Sequence, residues 1–442
     1  MKRIIQVFIL VVGMLLVLTA WYVIKVGYLV SDERETVQSV KSQTETTMSK
    51  VRRGEYLTQV ANCSGCHTNT GGALYAGGKV VQSEFGNFVV PNITPDSRTG
   101  IGRWSVNDFW QALHFGKLPD GRLLYPAFPY TNYALISRED AEAMFAYLKS
   151  LPAINQPSAP HQLRFPYNQR PLLAIWRALY FRPQTYQSDL SRSVDWNRGA
   201  YLVNGLGHCS ACHSSRNMLG ANAGSEYLNG GEMPIVAWYA PSLSRVDEAH
   251  QARFSQAQSL KLFTSGLADN AAFYGPMAEV FANSLQYYSE ADIAAMNVYL
   301  RELPAIKKQT PYSMENPPDA AVSTPEAITQ RMVQGAALYK THCSLCHGAA
   351  GEGVAAIYPA LAKNNALQMS SVVNPIRIVL NGGFPPTSLS NPRPYGMPPF
   401  GPVLSDNEVA LVLTYVRNSW GNHGSHIGAV TVNRYRNAPI NE

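Results

Sequence analysis

Cys63-Ser64-Gly65-Cys66-His67, Cys209-Ser210-Ala211-Cys212-His213 and Cys343-Ser344-Leu345-Cys346-His347 are three copies of one pentapeptide, and together they use all six cysteines of this 442-residue chain. Two thiols three positions apart can each form a thioether to one vinyl of the same porphyrin. The histidine that follows then turns its imidazole onto the iron from the proximal face, so each copy reads as a c-type haem attachment site. A disulfide, a zinc pair or a thioredoxin-like redox motif is the competing reading of Cys-x-x-Cys. A histidine in every copy and no cysteine left over favour haem. On this reading Cys63, Cys66, Cys209, Cys212, Cys343 and Cys346 bind three haem c groups, and His67, His213 and His347 are iron ligands.

Around each motif the chain repeats itself. Arg53-Gly54-Glu55-Tyr56-Leu57, Arg198-Gly199-Ala200-Tyr201-Leu202 and Gln334-Gly335-Ala336-Ala337-Leu338-Tyr339 precede the three sites as matching helices. Each unit closes on a helix opened by a serine cap with an acid three residues later: Ser137 with Asp140, Ser289 with Asp292, Ser405 with Glu408. A tyrosine follows each serine by ten residues (Tyr147, Tyr299, Tyr415) on segments with helical apolar spacing, and is expected in the core. A helix, the haem motif, a long loop and a final helix packed across the first describe the small class I cytochrome c domain. The expected fold is therefore all-α with little sheet: three tandem class I cytochrome c domains at 46–152, 193–304 and 328–422, with a tail at 423–442. Proline-rich stretches at 153–192 and 305–327 read as semi-rigid linkers. Within the first, Leu172 to Phe181 reads as an amphipathic helix, which either touches membrane or a partner or packs between domains.

An electron-carrying haem takes a second axial ligand from a downstream loop, and methionine there raises the potential relative to histidine. Gly275-Pro276-Met277 and Tyr395-Gly396-Met397-Pro398-Pro399 lie 64 and 50 residues after their proximal histidines, which makes Met277 and Met397 the expected metal ligands. Core methionine is the alternative for either. The matching loop of the first unit, Tyr125-Pro126-Ala127-Phe128-Pro129-Tyr130, carries Phe128 where sulfur is expected, and phenylalanine cannot coordinate iron. That haem is then five-coordinate or recruits another side chain, such as His114 or, less readily, Met144. His208 and His342, next to Cys209 and Cys343, read as incidental neighbours.

The first thirty residues speak to location. Lys2 and Arg3 precede an uncharged apolar run from Ile4 to Ile24, and Asp32, Glu33 and Glu35 follow it. The reading is a retained transmembrane helix at 1–30 with the remainder outside the cytoplasm; a cleaved signal peptide is the alternative. Covalent haem attachment on the outer face of bacterial inner membranes points the same way, to an inner-membrane protein on the periplasmic side. A net charge of +6 without a clustered basic stripe excludes nucleic-acid binding.

Beyond the haem motifs, Pro91-Asn92-Ile93-Thr94-Pro95-Asp96, Gly100-Ile101-Gly102-Arg103-Trp104, Trp196-Asn197-Arg198-Gly199-Ala200-Tyr201-Leu202 and Gly275-Pro276-Met277-Ala278-Glu279-Val280 resemble the triple-haem cytochrome c subunits of bacterial membrane-bound dehydrogenases of the alcohol, sugar and aldehyde type. That resemblance implies a non-catalytic electron-transfer subunit. A partner catalytic subunit, with pyrroloquinoline quinone, a flavin, or molybdenum and a small iron-sulfur subunit, would oxidise the substrate, and ubiquinone in the membrane would accept the electrons. The sequence departs from the family at Phe128, where methionine is usual. A haem enzyme of peroxidase type with an open first iron, or the haem subunit of a respiratory oxidase, is the alternative function.

Overall fold

The structure, a computed structural model, describes residues 2–28, 47–222, 227–233, 235–244, 248, 254–304, 324–385 and 387–438. Asp32, Glu33, Glu35 and most of the second proline-rich linker lie outside the described residues.

Each haem motif is bracketed by a pair of packed helices, as the repeats predict: Thr47–Val60 with Arg138–Ser150, Val194–Tyr201 with Glu290–Arg301, and Pro325–His342 with Asp406–Arg417. The serine caps form as read. Ser137, Ser289 and Ser405 accept the backbone N–H of Asp140, Asp292 and Glu408, and in the third case Glu408 completes a capping box.

What lets the paired helices cross so closely is the glycine common to the three opening helices. A Cβ on Gly54 would run into the carbonyl oxygen of Ala143 and come within 3.0 Å of Tyr147 Cβ. Gly199 meets Ala295 O and Tyr299 Cβ in the same way, and Gly335 meets Leu411 O and Tyr415 Cβ. The in-phase tyrosines are therefore the residues against which the glycines pack. Tyr147 and Tyr299 are buried, and Tyr415 is half-buried beside Tyr339 and Trp420. The acids that cap the first two closing helices also reach across: Arg53 Nη2 lies 2.6 Å from Asp140 Oδ1, and Arg198 makes a bidentate pair with Asp292 at 2.8 Å per bond. Gln334 stands at the equivalent position of the third helix, where Glu408 turns back to Ser405 instead.

Two parts of the expected fold are corrected. The chain is not all-α, because the loops between haem motif and closing helix zip into short antiparallel hairpins. These are Val80–Ser83 with Gly86–Val89, Gly231–Met233 with Trp238–Ala240, and Leu267–Ala268 with Ala271–Ala272. Long loops lying against a core must pair their backbone N–H and C=O groups, and two- to four-residue ladders do so here. The N-terminal transmembrane helix is also not borne out: among the described residues no helix is long and apolar enough to cross a membrane. The helix Lys2–Tyr22 gives way to π-type geometry over Val23–Tyr28, with Lys25 inside that turn.

By compactness the chain forms two units. One comprises 1–188 with 204–208 and 217–221, and the other the remainder. In the first unit the proline-rich stretch after Leu151 is bonded to the preceding loop and hairpin rather than hanging free. Asn92 Nδ2 donates to Ile154 O at 2.7 Å, and Gln162–Leu163 adds a third strand beside Gly86–Val89. In the second unit, Asn374 ties two repeats together by accepting the Tyr239 N–H at 2.9 Å and donating to Tyr239 O at 2.8 Å.

Candidate functional site

Each Cys-x-x-Cys-His folds as a single helical turn that brings both thiols and the imidazole to one side: Cys63–His67, Ser210–His213 and Ser344–His347. In the first two, the chain enters through a left-handed residue, Asn62 (φ 56°) and His208 (φ 39°), which turns it sharply out of the opening helix.

The three histidines share a further partner. His67 Nδ1 lies 2.7 Å from Pro91 O, His213 Nδ1 2.7 Å from Pro241 O, and His347 Nδ1 3.0 Å from Pro359 O. A carbonyl can only accept, so Nδ1 carries the proton and Nε2 keeps its lone pair for a metal, with the ring's orientation fixed. Burial works in the same direction. It pushes the His67 imidazole down to about 4, against a weaker opposing effect from Pro91, and lowers His213 and His347 as well. All three rings are thus neutral at ordinary pH, as ligation requires. The thiols are unbridged, and burial raises Cys63 and Cys209 to about 12 and Cys343 to about 11, each helped by its neighbouring cysteine. Among the described residues no group of three or more His, Cys, Asp or Glu side chains is placed to hold a metal ion, so the zinc reading of the motifs finds no ligand set.

The third site has the most complete surroundings. An apolar cleft of about 890 Å³, counting the space open at its mouth, is lined by Cys343, His347, Met397, Ile378, Phe400 and Leu413, among others. Met397 is held in place by two backbone hydrogen bonds to Gly383, at 2.8 and 3.0 Å, which present its thioether from the loop as read from the sequence. The Cys343 thiol, a neutral imidazole and a thioether around one apolar cleft, with Cys346 on the same helical turn, fit haem c. Ala272 and Tyr274, from the preceding repeat of the same unit, also line the cleft, a contribution with no signal in the motif itself.

Other candidate residues fall as follows. Met277 sits half-buried at the second position of the helix Pro276–Asn283 in the unit that holds His213. Phe128 is half-buried among Tyr130, Ala134 and Phe181, with its ring 5.4 Å from that of Tyr133. His114 is buried and stacked on Trp110 at 4.4 Å with Phe115 at 4.5 Å, the surroundings of a packed histidine. Met144 is fully buried in the closing helix. His208 is 5.4 Å from the Tyr133 ring with Nδ1 on Leu206 O, and His342 lies 6.0 Å from Phe400. The proline carbonyls behind the histidines were missed in sequence. The only signal is a proline followed two residues on by isoleucine or leucine: Pro91-Asn92-Ile93, Pro241-Ser242-Leu243 and Pro359-Ala360-Leu361.

Helix pairs crossing at glycine, a thiol-histidine turn between them and a carbonyl behind each imidazole define a c-type cytochrome. The sequence model of the family described as Cytochrome c accordingly matches residues 332–420. Among known proteins the chain is 35% identical over 382 residues to the alcohol dehydrogenase (quinone) cytochrome c subunit of Gluconobacter oxydans, covering 84% of this chain and 79% of that one. It is 34% identical to the fructose dehydrogenase cytochrome subunit of Gluconobacter japonicus, covering 87% and 82% respectively. It is also 37% identical over 374 residues to a nicotinate dehydrogenase subunit of Pseudomonas putida, a match that takes in 83% of this chain but only 30% of that longer protein. The chain belongs to the family of cytochrome c subunits of membrane-bound dehydrogenases, and it serves electron transfer through haem c.

Proposed function

We propose that this chain carries three haem c groups and passes electrons from the catalytic subunit of a dehydrogenase to ubiquinone, facing the periplasm of a bacterial inner membrane. The proposed haem domains are 46–152, 193–304 and 328–422. The observation that carries the count is the threefold recurrence of one local geometry, in which each Cys-x-x-Cys-His turn has its Nδ1 on a proline carbonyl. Bound haem c supplies a one-electron couple. The residues do the rest. Cysteine pairs Cys63/Cys66, Cys209/Cys212 and Cys343/Cys346 hold the porphyrin covalently, and His67, His213 and His347 ligate iron with a basicity raised by their carbonyl partners. Met397, and Met277 in the second site, would be the second iron ligands, thioethers that favour the reduced state. Phe128 leaves the first site without one, which sets its potential apart from the other two.

The test is purification of the native complex from membranes. A catalytic subunit should co-purify, its substrate should reduce the Soret and α bands of this chain, and a ubiquinone analogue should reoxidise them. A complex in which substrate reduces no haem of this chain contradicts the proposal.

A further inference from the structure

The helix Leu172–Tyr180 is apolar on two sides, and among the described residues only one of them is covered. Its inner face buries Leu173, Ala174 and Ala178 against the turn Val23–Tyr28 and against Phe88, Leu123 and Tyr125. Arg177 fixes the rotation of the helix about its axis. It is fully buried, donates Nε to Gly27 O at 2.8 Å and Nη1 to Phe115 O at 2.5 Å, and lies over the rings of Tyr130 and Phe181. With that rotation set, Leu172 (44% exposed), Ile175 (45%) and Leu179 (60%) form one stripe facing outward. Phe165, 80% exposed, precedes it, and Tyr180 ends it.

The segment that carries the stripe is basic, although Asp120 lies close enough to Arg170 to feel its charge and Arg177 is buried. From Gln162 to Arg182 the chain contains Arg164, Arg170, Arg177 and Arg182 and no acid, and the adjoining turn Val23–Tyr28 adds Lys25. Lys25 lies 5.0 Å over the Trp21 ring, and Arg182 Nη2 donates to the Tyr22 hydroxyl at 2.7 Å. The outward side chains of the preceding helix, including Met14, Leu15, Val17 and Leu18, are exposed and apolar as well. Exposed apolar side chains, a rim of tryptophan and tyrosine, and an excess of cations over acids along the segment are what an anionic lipid surface selects. A second copy of this chain would set the same cations against one another, which disfavours a dimer through this face.

We infer that the helix Leu172–Tyr180 lies in the headgroup layer of an anionic phospholipid bilayer, with Leu172, Ile175 and Leu179 immersed in the acyl boundary. This is interfacial attachment and needs no segment that spans. Its value to the protein rests on the relay proposed above. The inner face of this helix packs on Leu123 and Tyr125, so the loop Tyr125–Tyr130 of the first haem site sits about one helix diameter, ~10 Å, behind the lipid, within reach of a membrane-dissolved quinone.

The test uses the holoprotein with a single nitroxide at Ile175→Cys, and a control label at Leu190→Cys, a residue 97% exposed and outside that helix. Accessibility to oxygen and to a neutral nickel chelate is measured before and after adding vesicles of phosphatidylcholine with phosphatidylglycerol, or of phosphatidylcholine alone. The ratio of oxygen to nickel accessibility should rise severalfold at position 175 with the anionic vesicles, less with the neutral ones, and stay level at 190. A label at 175 that remains in water while the protein floats with the vesicles overturns the inference. So does one that a second copy or a co-purifying protein shields without lipid. Haem content and potentials, measured on the same samples, report on the relay separately and stand whichever way the label reads.

Discussion

Replacing Gly335 with alanine tests whether the helix crossings set the fold. A Cβ at this position would lie 2.7 Å from Tyr415 Cβ and closer still to the carbonyl oxygen of Leu411, against an ordinary contact of 3.4–4 Å. Because the obstruction is backbone, no rotamer change relieves it, and the helices Pro325–His342 and Asp406–Arg417 must part by about 1 Å. Overpacking of this kind costs about 1–3 kcal/mol. Alanine returns roughly 1 kcal/mol through helix propensity, so the net loss is about 0–2 kcal/mol, or up to several degrees in melting temperature for a domain of this size. Thermal melts of the holoprotein, followed by far-UV circular dichroism and by the Soret band, measure it. Propensity alone predicts the opposite sign, so a melting temperature raised by several degrees refutes the argument. Gly54→Ala and Gly199→Ala should move the same way, since Ala143 O and Ala295 O occupy the equivalent places.

Met397→Ala should lower the midpoint potential of the third haem while leaving it covalently attached, and an unchanged potential in a redox titration would remove Met397 from the iron. Phe128→Met should give the first haem the weak sulfur-to-iron absorption band of His-Met ligation; no spectral change would mean another side chain already holds that position. His161 offers a pH test. Burial first, and Arg170 second, hold its imidazole below the usual range, and its Nδ1 accepts the Val89 N–H at 3.2 Å. The folded state therefore binds fewer protons than the unfolded one. The stability that this provides is present above the unfolded pKa of about 6.5 and is lost as pH falls from there through the lower folded value. Hydrogen exchange at Val89 should accelerate over that window, and an NMR titration placing His161 at or above 6.5 would contradict the assignment.

Much of the site was legible because covalent haem chemistry leaves a rigid spacing in the chain, and capped helices leave Ser-x-x-Asp/Glu. The place of Met397 in the cleft beside His347 was readable for a similar reason, since prolines and glycines mark a stiff presenting loop. The hairpins were not, because strands of two to four residues have too few alternating positions to stand out from a loop. Nor were the proline carbonyls behind the histidines, since a backbone oxygen has no residue-type signature and is placed only by the fold. The apolar N-terminus misled for a different reason. An uncharged run in the sequence reports hydropathy alone, whereas among the described residues no helix is long and apolar enough to cross a membrane. The segment Leu172–Tyr180 was legible as amphipathic but not as two-faced, because only the buried Arg177 reveals which side turns inward.

The central claim is that the three pentapeptides all carry haem, and the most direct measurement is the intact mass of the denatured chain after expression with a c-type haem maturation system. Three haem additions that survive denaturation, reduced to two by replacing both cysteines of any one motif with alanine, are the predicted result. A mass showing fewer than three additions on the unaltered chain, or one that does not change when a motif is removed, would contradict the account.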